Sequence, residues 1–266
     1  MEKVFTSFLL LFHLVVASLA MTHANISTDQ SALLSLKSQI ISDPFHLLDE
    51  SWSPATSVCH WIGVTCGSRH QRVTSLNISN MGLTGRISPD FGNLTFLVSL
   101  DLSSNNFYGN LPQEMAHLRR LRFLNFGVNN FSGKAPSWFG VLNQLQVLTL
   151  RNNSFNGVIP SLFSNISTLQ TLDLRFNSLG GQIPKEIGKL QNLKKLYIES
   201  NELTGSIPFS IFNISGIEVI AFTNNTLSGN LPADMCDYLP MLRDLHLSIN
   251  ELRGHMPISL PNCSKL

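Results

Sequence analysis

Charged residues are scarce in this chain: they make up 13% of its 266 residues, and the net charge is +1. A protein that binds nucleic acid usually presents a basic stripe to the phosphate backbone. No such stripe is visible along the sequence. We therefore exclude nucleic acid as a partner.

The usual signs of catalysis are also missing. Serine, histidine and aspartate residues are scattered, without a nucleophile and base at a spacing that would bring them together. There is no glycine-rich phosphate loop, because the regularly spaced glycines each precede an apolar residue and a proline. We expect no enzymatic activity, no cofactor and no metal site in this chain.

Long apolar segments are limited to the N-terminus. The segment from Phe8 to Leu19 follows Lys3 and ends in small residues, and it is shorter than the roughly 20 apolar residues of a spanning helix. Residues 1–24 are therefore predicted to be a cleaved signal peptide, with an uncleaved anchor as the alternative. The four cysteines are an even number, which suits disulfides in a secreted protein.

An internal repeat dominates the rest of the chain. Three residue types recur with a period of 24, which becomes 25 once near the C-terminus. The asparagines are Asn105, Asn129, Asn153, Asn177, Asn201, Asn225 and Asn250; the glycines are Gly85, Gly109, Gly133, Gly157, Gly181, Gly205, Gly229 and Gly254; and the prolines are Pro112, Pro136, Pro160, Pro184, Pro208, Pro232 and Pro257. Three columns that share one period indicate a solenoid.

Apolar pairs precede each asparagine. Leu100 and Leu102 alternate with polar residues, so both side chains point to one side of a short strand. The same pair recurs as Leu124 and Phe126, Leu148 and Leu150, Leu172 and Leu174, Leu196 and Ile198, Ile220 and Phe222, and Leu245 and Leu247. A second apolar column follows each proline: Phe91, Met115, Phe139, Phe163, Ile187, Ile211, Met235 and Leu260. Stacked coils would bury both sets around one parallel sheet.

The aligned asparagines permit two interpretations. They could form a ladder of ligand or metal contacts. The favoured interpretation is structural, because a buried amide side chain must find hydrogen-bond partners and adjacent coils can supply backbone groups. Met81 takes this position in the first repeat.

Segments such as Leu203 to Pro208 resemble the plant-specific class of leucine-rich repeats, with the consensus LxxLxxLxLxxNxLxGxIPxxLxxLxx. The resemblance implies an α/β solenoid, a right-handed superhelix with a parallel sheet on its concave face and a second, smaller sheet on its flank. It also divides the chain into an N-terminal cap at residues 25–71, eight repeats of 24–25 residues at 72–262, and the start of a ninth repeat at 263–266. The alignment of Leu266 with Leu242 leads us to expect further repeats in the complete protein.

Between the signal peptide and the first repeat, residues 27–30 form a capping-box pattern that predicts a helix start. Ala32, Leu33, Leu36 and Ile40 are expected on one face of that helix. Residues 59–66 resemble the CxWxGVxC motif of plant leucine-rich-repeat caps, which implies a Cys59–Cys66 disulfide and buried tryptophans. A zinc site that includes His60 and His70 is the competing interpretation, but the ligand spacing of zinc sites is absent.

The other two cysteines lie one coil apart and three positions out of register. Cys263 occupies a leucine column and is expected to be buried. The sequence leaves open whether Cys236 and Cys263 form a disulfide or whether Cys263 is a small buried thiol.

Binding residues are expected where the strand side chains alternate with the buried leucines and face outward. The first two coils offer small polar groups there, whereas the middle coils offer aromatic and charged ones. The candidate ligand-binding residues are Phe123, Arg151, Asp173, Arg175, Phe176, Lys195, Tyr197 and Glu199.

Arg151 and Arg175 lie in one column of adjacent strands, about 4.8 Å apart at the backbone. Like charges so placed are destabilising unless they are compensated. Asp173 and Glu199 offer internal compensation. Alternatively, the arginine pair, with Tyr197 and Phe176, binds a carboxylate or another anionic part of a peptide ligand.

Asn-x-Ser/Thr sequons predict a secreted, glycosylated surface. The nine sites are Asn25, Asn77, Asn93, Asn130, Asn152, Asn165, Asn213, Asn224 and Asn262. Asn93, Asn165, Asn213 and Asn262 share one position on the return segment, so their glycans would leave the strand face open.

The cap, the repeat type and the signal peptide together resemble plant leucine-rich-repeat receptor-like kinases, particularly those that perceive microbial patterns. This implies a cell-surface module that binds a peptide or protein ligand and a co-receptor in immune or developmental signalling. Membrane attachment and a cytoplasmic serine/threonine kinase would belong to a C-terminal part not present here. The alternative is a freestanding secreted inhibitor of microbial cell-wall-degrading enzymes. A purely structural wall protein is disfavoured because Pro-rich and low-complexity tracts are absent.

Overall fold

A computed structural model of the protein describes residues 25–266, so the predicted signal peptide lies outside the described residues. From residue 73 onward, each coil contains a strand, a second strand and a 3₁₀ helix, and the α-helices of the described part all lie before the first coil. None of the helices in this part is long and apolar enough to cross a bilayer.

The segment before the repeats folds as a cap made of α1 (Ile26–Ser38), β1 (Ile40–Ser42), α2 (Leu47–Ser51) and β2 (Val64–Cys66). The predicted start of α1 was wrong by two residues: Asn25 is the N-cap, and its side chain accepts a hydrogen bond from the Thr28 amide at 3.1 Å. Asn25 and Thr28 thus form the capping box. Ile40, predicted on the helix, lies in β1 instead.

Aromatic packing fills the interior of the cap. Trp52 and Trp61 are buried and stack with ring centroids 5.4 Å apart. Their indole nitrogens donate hydrogen bonds to the Ile62 carbonyl oxygen and to a threonine hydroxyl, so neither polar group is left unsatisfied. Cys59 and Cys66 form a disulfide, which confirms the expected pair and leaves neither thiol free for the zinc alternative.

The main sheet consists of the first strand of every coil. Its strands after β2 are β3 (Val73–Asn77), β5 (Ser99–Asp101), β7 (Phe123–Asn125), β9 (Val147–Thr149), β11 (Thr171–Asp173), β13 (Lys195–Tyr197), β15 (Val219–Ala221) and β17 (Asp244–His246). All pair in parallel except β2, which lies antiparallel to β3 and covers the N-terminal edge. Leu172 is in register with Leu148 and Leu196, as the repeat predicts.

The second sheet consists of the strands that follow the asparagine column: β4 (Thr84–Gly85), β6 (Asn106–Gly109), β8 (Asn130–Lys134), β10 (Ser154–Val158), β12 (Ser178–Gln182), β14 (Glu202–Ser206), β16 (Thr226–Asn230) and β18 (Glu251–Arg253). The cap strand β1 pairs antiparallel with β4. The plant-type second sheet that the resemblance implied is therefore present.

The core lies between the two sheets and the 3₁₀ helices. The apolar pairs from Leu100 to Phe222 are buried, and so is the second column from Phe91 to Met235. Leu245, Leu247 and Leu260 are only partly buried, because no further coil packs on them in the described residues. Together these observations confirm a leucine-rich-repeat solenoid.

The asparagine column is a hydrogen-bonded ladder, as its structural interpretation predicted. In a representative coil, the Asn153 side chain donates to the carbonyl oxygen of Phe126 in the preceding coil at 2.9 Å. It also accepts from the amide of Phe131 at 3.0 Å. The same pattern holds for the column from Asn105 to Asn250. Each asparagine thus satisfies backbone groups that would otherwise be buried without a partner.

The residue before each ladder asparagine, and before Met81 in the equivalent position of the first coil, has left-handed backbone. The column comprises Asn80, Ser104, Val128, Asn152, Phe176, Ser200, Asn224 and Ile249, with φ between 51° and 59°. Asparagine tolerates this conformation, whereas a β-branched or bulky residue is strained in it. Val128, Phe176 and Ile249 therefore hold strained backbone.

Replacing Val128 with Asn is expected to raise the free energy of unfolding by about 1 kcal/mol, because asparagine tolerates the left-handed conformation better. Urea unfolding monitored by circular dichroism would measure the change. Val141→Asn is the matched control, since Val141 is 43% exposed and lies outside the left-handed column. Equal stabilities of Val128→Asn and the unmodified chain would contradict the strain argument.

A buried ion pair joins the cap to the first coil. The Asp29 carboxylate in α1 accepts hydrogen bonds from the Arg72 guanidinium at 2.6 and 2.7 Å. It also accepts from the Val73 amide at 2.8 Å. Both charged side chains are at most 3% exposed, so removal of either one would leave an uncompensated buried charge.

Cys236 and Cys263 form a second disulfide, which settles the alternative that the sequence left open. Cys263 is 5% exposed, as its place in the leucine column predicted. The bond links two neighbouring coils through their return segments.

Candidate ligand-binding face

The outward face of the main sheet carries the eight predicted binding residues. Phe123, Asp173, Lys195 and Tyr197 lie within strands, and Arg151, Arg175, Phe176 and Glu199 follow two or three residues after a strand ends. The structure joins Asp173, Arg175, Tyr197 and Glu199 by direct contacts. The other four lie around this group, within coils three to six.

Arg175 is the centre of the contact group. Its guanidinium donates two hydrogen bonds to Asp173, at 2.8 and 3.0 Å, and a third, longer one to Glu199 at 3.4 Å. The guanidinium carbon also lies 4.4 Å from the centroid of the Tyr197 ring. For Arg175, the internal compensation that the sequence allowed is thus present.

The electrostatics of this group follow from the same contacts. The hydrogen bonds that Arg175 donates to Asp173 raise the pKa of Arg175 above its ordinary value, against the opposing effect of burial. Burial raises the pKa of the Tyr197 hydroxyl, and the nearby Arg175 charge opposes that change. Arg175 therefore stays charged and Tyr197 neutral at physiological pH, so the group is a fixed, half-buried platform.

Arg151 differs from its neighbour in the same column. It is exposed, and among the described residues no carboxylate lies within ion-pair distance of its guanidinium. Its stem lies beside Gly127: a Cβ placed on that glycine would lie 3.0 Å from the Cγ of Arg151. The absence of a side chain at Gly127 thus gives Arg151 room to lie along the sheet.

Phe176 combines exposure with strain. Its side chain is 52% exposed, and its backbone is left-handed with φ of 55°. An exposed aromatic ring in a conformation that bulky residues avoid is a common feature of functional sites. The sequence identified Phe176 as a candidate but gave no sign of the strain.

Gly127 is a residue that the sequence reasoning missed. It stands in the same outward column as Arg151 and Arg175, and its φ is not in the left-handed region. The available signal in the sequence was a glycine in an outward column whose other members carry side chains.

All nine sequon asparagines are exposed in the described residues. Asn93, Asn165 and Asn213 each end a 3₁₀ helix, on the return segment as predicted, and Asn262 ends the last one. Asn152 and Asn224 lie at the turn between the two sheets, and Asn130 begins β8 just after that turn. Asn77 is on the main sheet in the first coil, away from the candidate face.

Comparison with protein families agrees with this architecture. Residues 26–67 match the family described as Leucine rich repeat N-terminal domain. Residues 127–179 match a family described as Leucine rich repeat, and residues 72–94, 96–118 and 192–214 match a further Leucine Rich Repeat family.

Two relatives from Arabidopsis thaliana are similar to parts of the chain. The LRR receptor-like serine/threonine-protein kinase EFR is 50% identical over 70 residues, which cover 26% of this chain and 7% of the relative. Polygalacturonase inhibitor 2 is 36% identical over 101 residues, which cover 37% of this chain and 30% of the relative. Both matches therefore span less than a third of the relative's own length.

Among solved structures, the Arabidopsis receptor kinase HAESA, in complex with the peptide hormone IDA and the co-receptor SERK1, is similar over 90% of this chain and 44% of that one. The TM-score is 0.74 and the identity 29%. The cap and the repeats together show that the chain belongs to the leucine-rich-repeat family.

Proposed function

We propose that this chain is the extracellular recognition module of a plant cell-surface receptor-like kinase, which binds a peptide or protein ligand and a co-receptor in immune or developmental signalling. The similarity to HAESA, solved with a peptide hormone and a co-receptor, supports this proposal. The complete protein would place the module on the outer face of the plasma membrane and add a cytoplasmic serine/threonine kinase, as the name of the EFR relative suggests.

The proposed ligand surface is the main-sheet face of coils three to six. The observation that carries the proposal is Phe176, whose ring is exposed and whose backbone is strained beside the unpaired Arg151. Arg151 supplies a free guanidinium for a carboxylate. Tyr197 and the paired Arg175 are already ordered by their mutual contacts. Binding of a ligand would therefore cost little free energy for ordering this surface.

Selection from a random-peptide phage library on the secreted, unmodified chain tests this proposal. Selected peptides should bind the chain but lose binding to Phe176→Ser and to Arg151→Glu. Val158→Gln is the matched control, because Val158 is 62% exposed on the second sheet and glutamine there creates no new sequon. Peptides that bind all variants equally would remove the main-sheet face from the site.

Gly127→Ala is expected to weaken peptide binding about fivefold without lowering thermal stability. The added methyl would crowd the Arg151 side chain, whose Cγ would lie only 3.0 Å away. Arg151 would then have to move, and the peptide would bind less tightly because the guanidinium is no longer oriented toward it. Isothermal titration calorimetry with a selected peptide measures the effect. The double variant Gly127→Ala, Arg151→Ala should bind like Arg151→Ala alone; a further loss in the double variant would contradict the positioning role.

A secreted inhibitor of microbial cell-wall-degrading enzymes is the second candidate. The similarity to polygalacturonase inhibitor 2 favours it. Incubation of the purified chain with fungal polygalacturonases distinguishes the two functions: inhibition that depends on the main-sheet face would support the inhibitor and count against the receptor.

A further inference from the structure

A compact basic surface lies on one flank of the solenoid, at the edge where the main-sheet strands begin. We name it the basic flank and define it by Arg119, Arg120 and Arg122, which lie in the loop between the 3₁₀ helix of the second coil and the main-sheet strand of the third. All three are exposed. In the described residues, none of their side chains has an ion-pair partner. In a chain with a net charge of +1, this is a pronounced local excess of positive charge.

One of these arginines is held in place by an aromatic ring. Phe96 occupies the position equivalent to Arg120 in the preceding coil, and Arg72 occupies it one coil earlier. The guanidinium carbons of Arg120 and Arg72 lie 4.0 and 4.4 Å from the Phe96 ring centroid. The His70 ring also meets Phe96 edge-on, 5.7 Å between centroids.

This stack is anchored in the cap, because Arg72 is buried in its ion pair with Asp29. Arg120 is the exposed end of the series Asp29, Arg72, Phe96, Arg120. Stacking orients the guanidinium plane, and its N–H groups are left available at an exposed position. Arg120 is therefore an arginine that is already ordered before a partner arrives.

The predicted glycans are attached outside the loops that form this flank. The exposed sequons lie in the cap, in the first main-sheet strand, on the return segments, and at the turns between the two sheets. The loops that lead from each 3₁₀ helix to the next main-sheet strand, at 95–98, 119–122, 143–146, 167–170, 191–194 and 215–218, contain none. Asn93, at the position equivalent to His117, is the sequon asparagine one coil before the basic flank, and it lies on the return segment.

We propose that the basic flank is a second interaction surface, which binds a short acidic segment of a protein partner. Guanidinium groups recognise carboxylates through paired hydrogen bonds. The equivalents of Arg120 in the next coils are Gln144 and Thr168, and those of Arg122 are Gln146 and Gln170. The next cation in either column is Lys194, three coils further on. A long polyanion would use cations repeated in every coil, whereas this patch is confined to one loop and matches a short run of carboxylates.

Binding of a fluorescein-labelled octaglutamate peptide to the secreted chain, with octaglutamine as the uncharged probe, tests the proposal. We expect octaglutamate to bind at low ionic strength and to weaken as salt increases. The variant Arg119→Ser, Arg120→Ser, Arg122→Ser should lose at least tenfold in affinity. Phe96→Leu should lose about two- to threefold, because Arg120 would no longer be oriented.

The matched control replaces three exposed lysines elsewhere: Lys134→Ser, Lys185→Ser, Lys189→Ser. It changes the net charge equally and should retain binding within about twofold. The double variant Arg119→Ser, Arg122→Ser leaves the Phe96 stack intact and serves if the triple variant unfolds. Phe176→Ser, which tests the main-sheet face, should not affect octaglutamate binding.

Equal losses in the arginine and lysine variants would overturn the proposal, because binding would then follow net charge alone. Absence of octaglutamate binding to the unmodified chain at low salt would also overturn it. Tighter binding of an oligogalacturonate of equal charge would assign the flank to a polysaccharide instead.

Discussion

Replacing Asn129 with Ala is expected to lower the free energy of unfolding by about 3 kcal/mol or more. Its side-chain amide donates hydrogen bonds to three carbonyl oxygens, those of Leu102, Phe126 and Gly127, at 3.0, 3.2 and 3.3 Å. Its oxygen accepts from the amide of Phe107 at 3.0 Å. Alanine would leave this amide and the Leu102 carbonyl buried without a partner, and each such group costs about 1–3 kcal/mol.

Urea unfolding monitored by circular dichroism measures this change. Asn106→Ala is the matched control, since Asn106 is exposed in β6 and lies outside the ladder; it should change stability by less than about 0.5 kcal/mol. If both variants lost equal stability, the ladder would not be the source of the effect.

Phe176→Ser is expected to weaken binding of a selected peptide at least about 30-fold, which corresponds to about 2 kcal/mol. Stability should stay within about 0.5 kcal/mol, because the ring is 52% exposed and serine occupies the same left-handed column at Ser104 and Ser200. A residue kept for folding would show the opposite behaviour, with stability lost and binding retained.

Titration calorimetry and thermal unfolding on the same preparation separate these outcomes. Ile249→Ser is a suitable control, since Ile249 is 72% exposed and has the same strained backbone three coils away. It should leave peptide binding unchanged. Retained affinity in Phe176→Ser would remove this ring from the proposed surface.

The repeat made most of the fold predictable. Residues one period apart occupy equivalent positions in adjacent coils and are therefore neighbours in space. The register of Leu148, Leu172 and Leu196 follows from counting along the sequence. The ladder follows as well, because an asparagine buried in every coil must use the backbone groups that the coils share.

The cap was less predictable because it does not repeat. The pairing of Asp29 with Arg72 joins residues 43 positions apart, and no periodic column relates them. The start of α1 was misplaced because Asn25 and Ser27 are both good N-cap residues, and the backbone geometry decides between them.

Within the candidate face, the sequence located the side chains but not their partners. The columns placed Arg151 and Arg175 together, yet both internal pairing and ligand binding were consistent with the spacing. The side-chain conformations distinguish the two interpretations: Arg175 is paired internally with Asp173, whereas Arg151 lies beside Gly127 without an acidic partner in the described part of the chain. Arg72, Phe96 and Arg120 also share the period of 24, but the basic flank was missed because only the outward columns of the strands were considered as a binding surface.

The ladder also has a direction along the chain. Asn129 satisfies the Phe107 amide, 22 residues earlier, and the Leu102 carbonyl, 27 residues earlier. The buried backbone groups in the turn of each coil are therefore hydrogen-bonded by an asparagine of the next coil. That asparagine has not yet been synthesised when the coil itself leaves the ribosome. During synthesis, each coil should therefore become stably folded only after the next repeat has been added. The most recently made coil lacks the asparagine side chain that hydrogen-bonds its buried backbone groups.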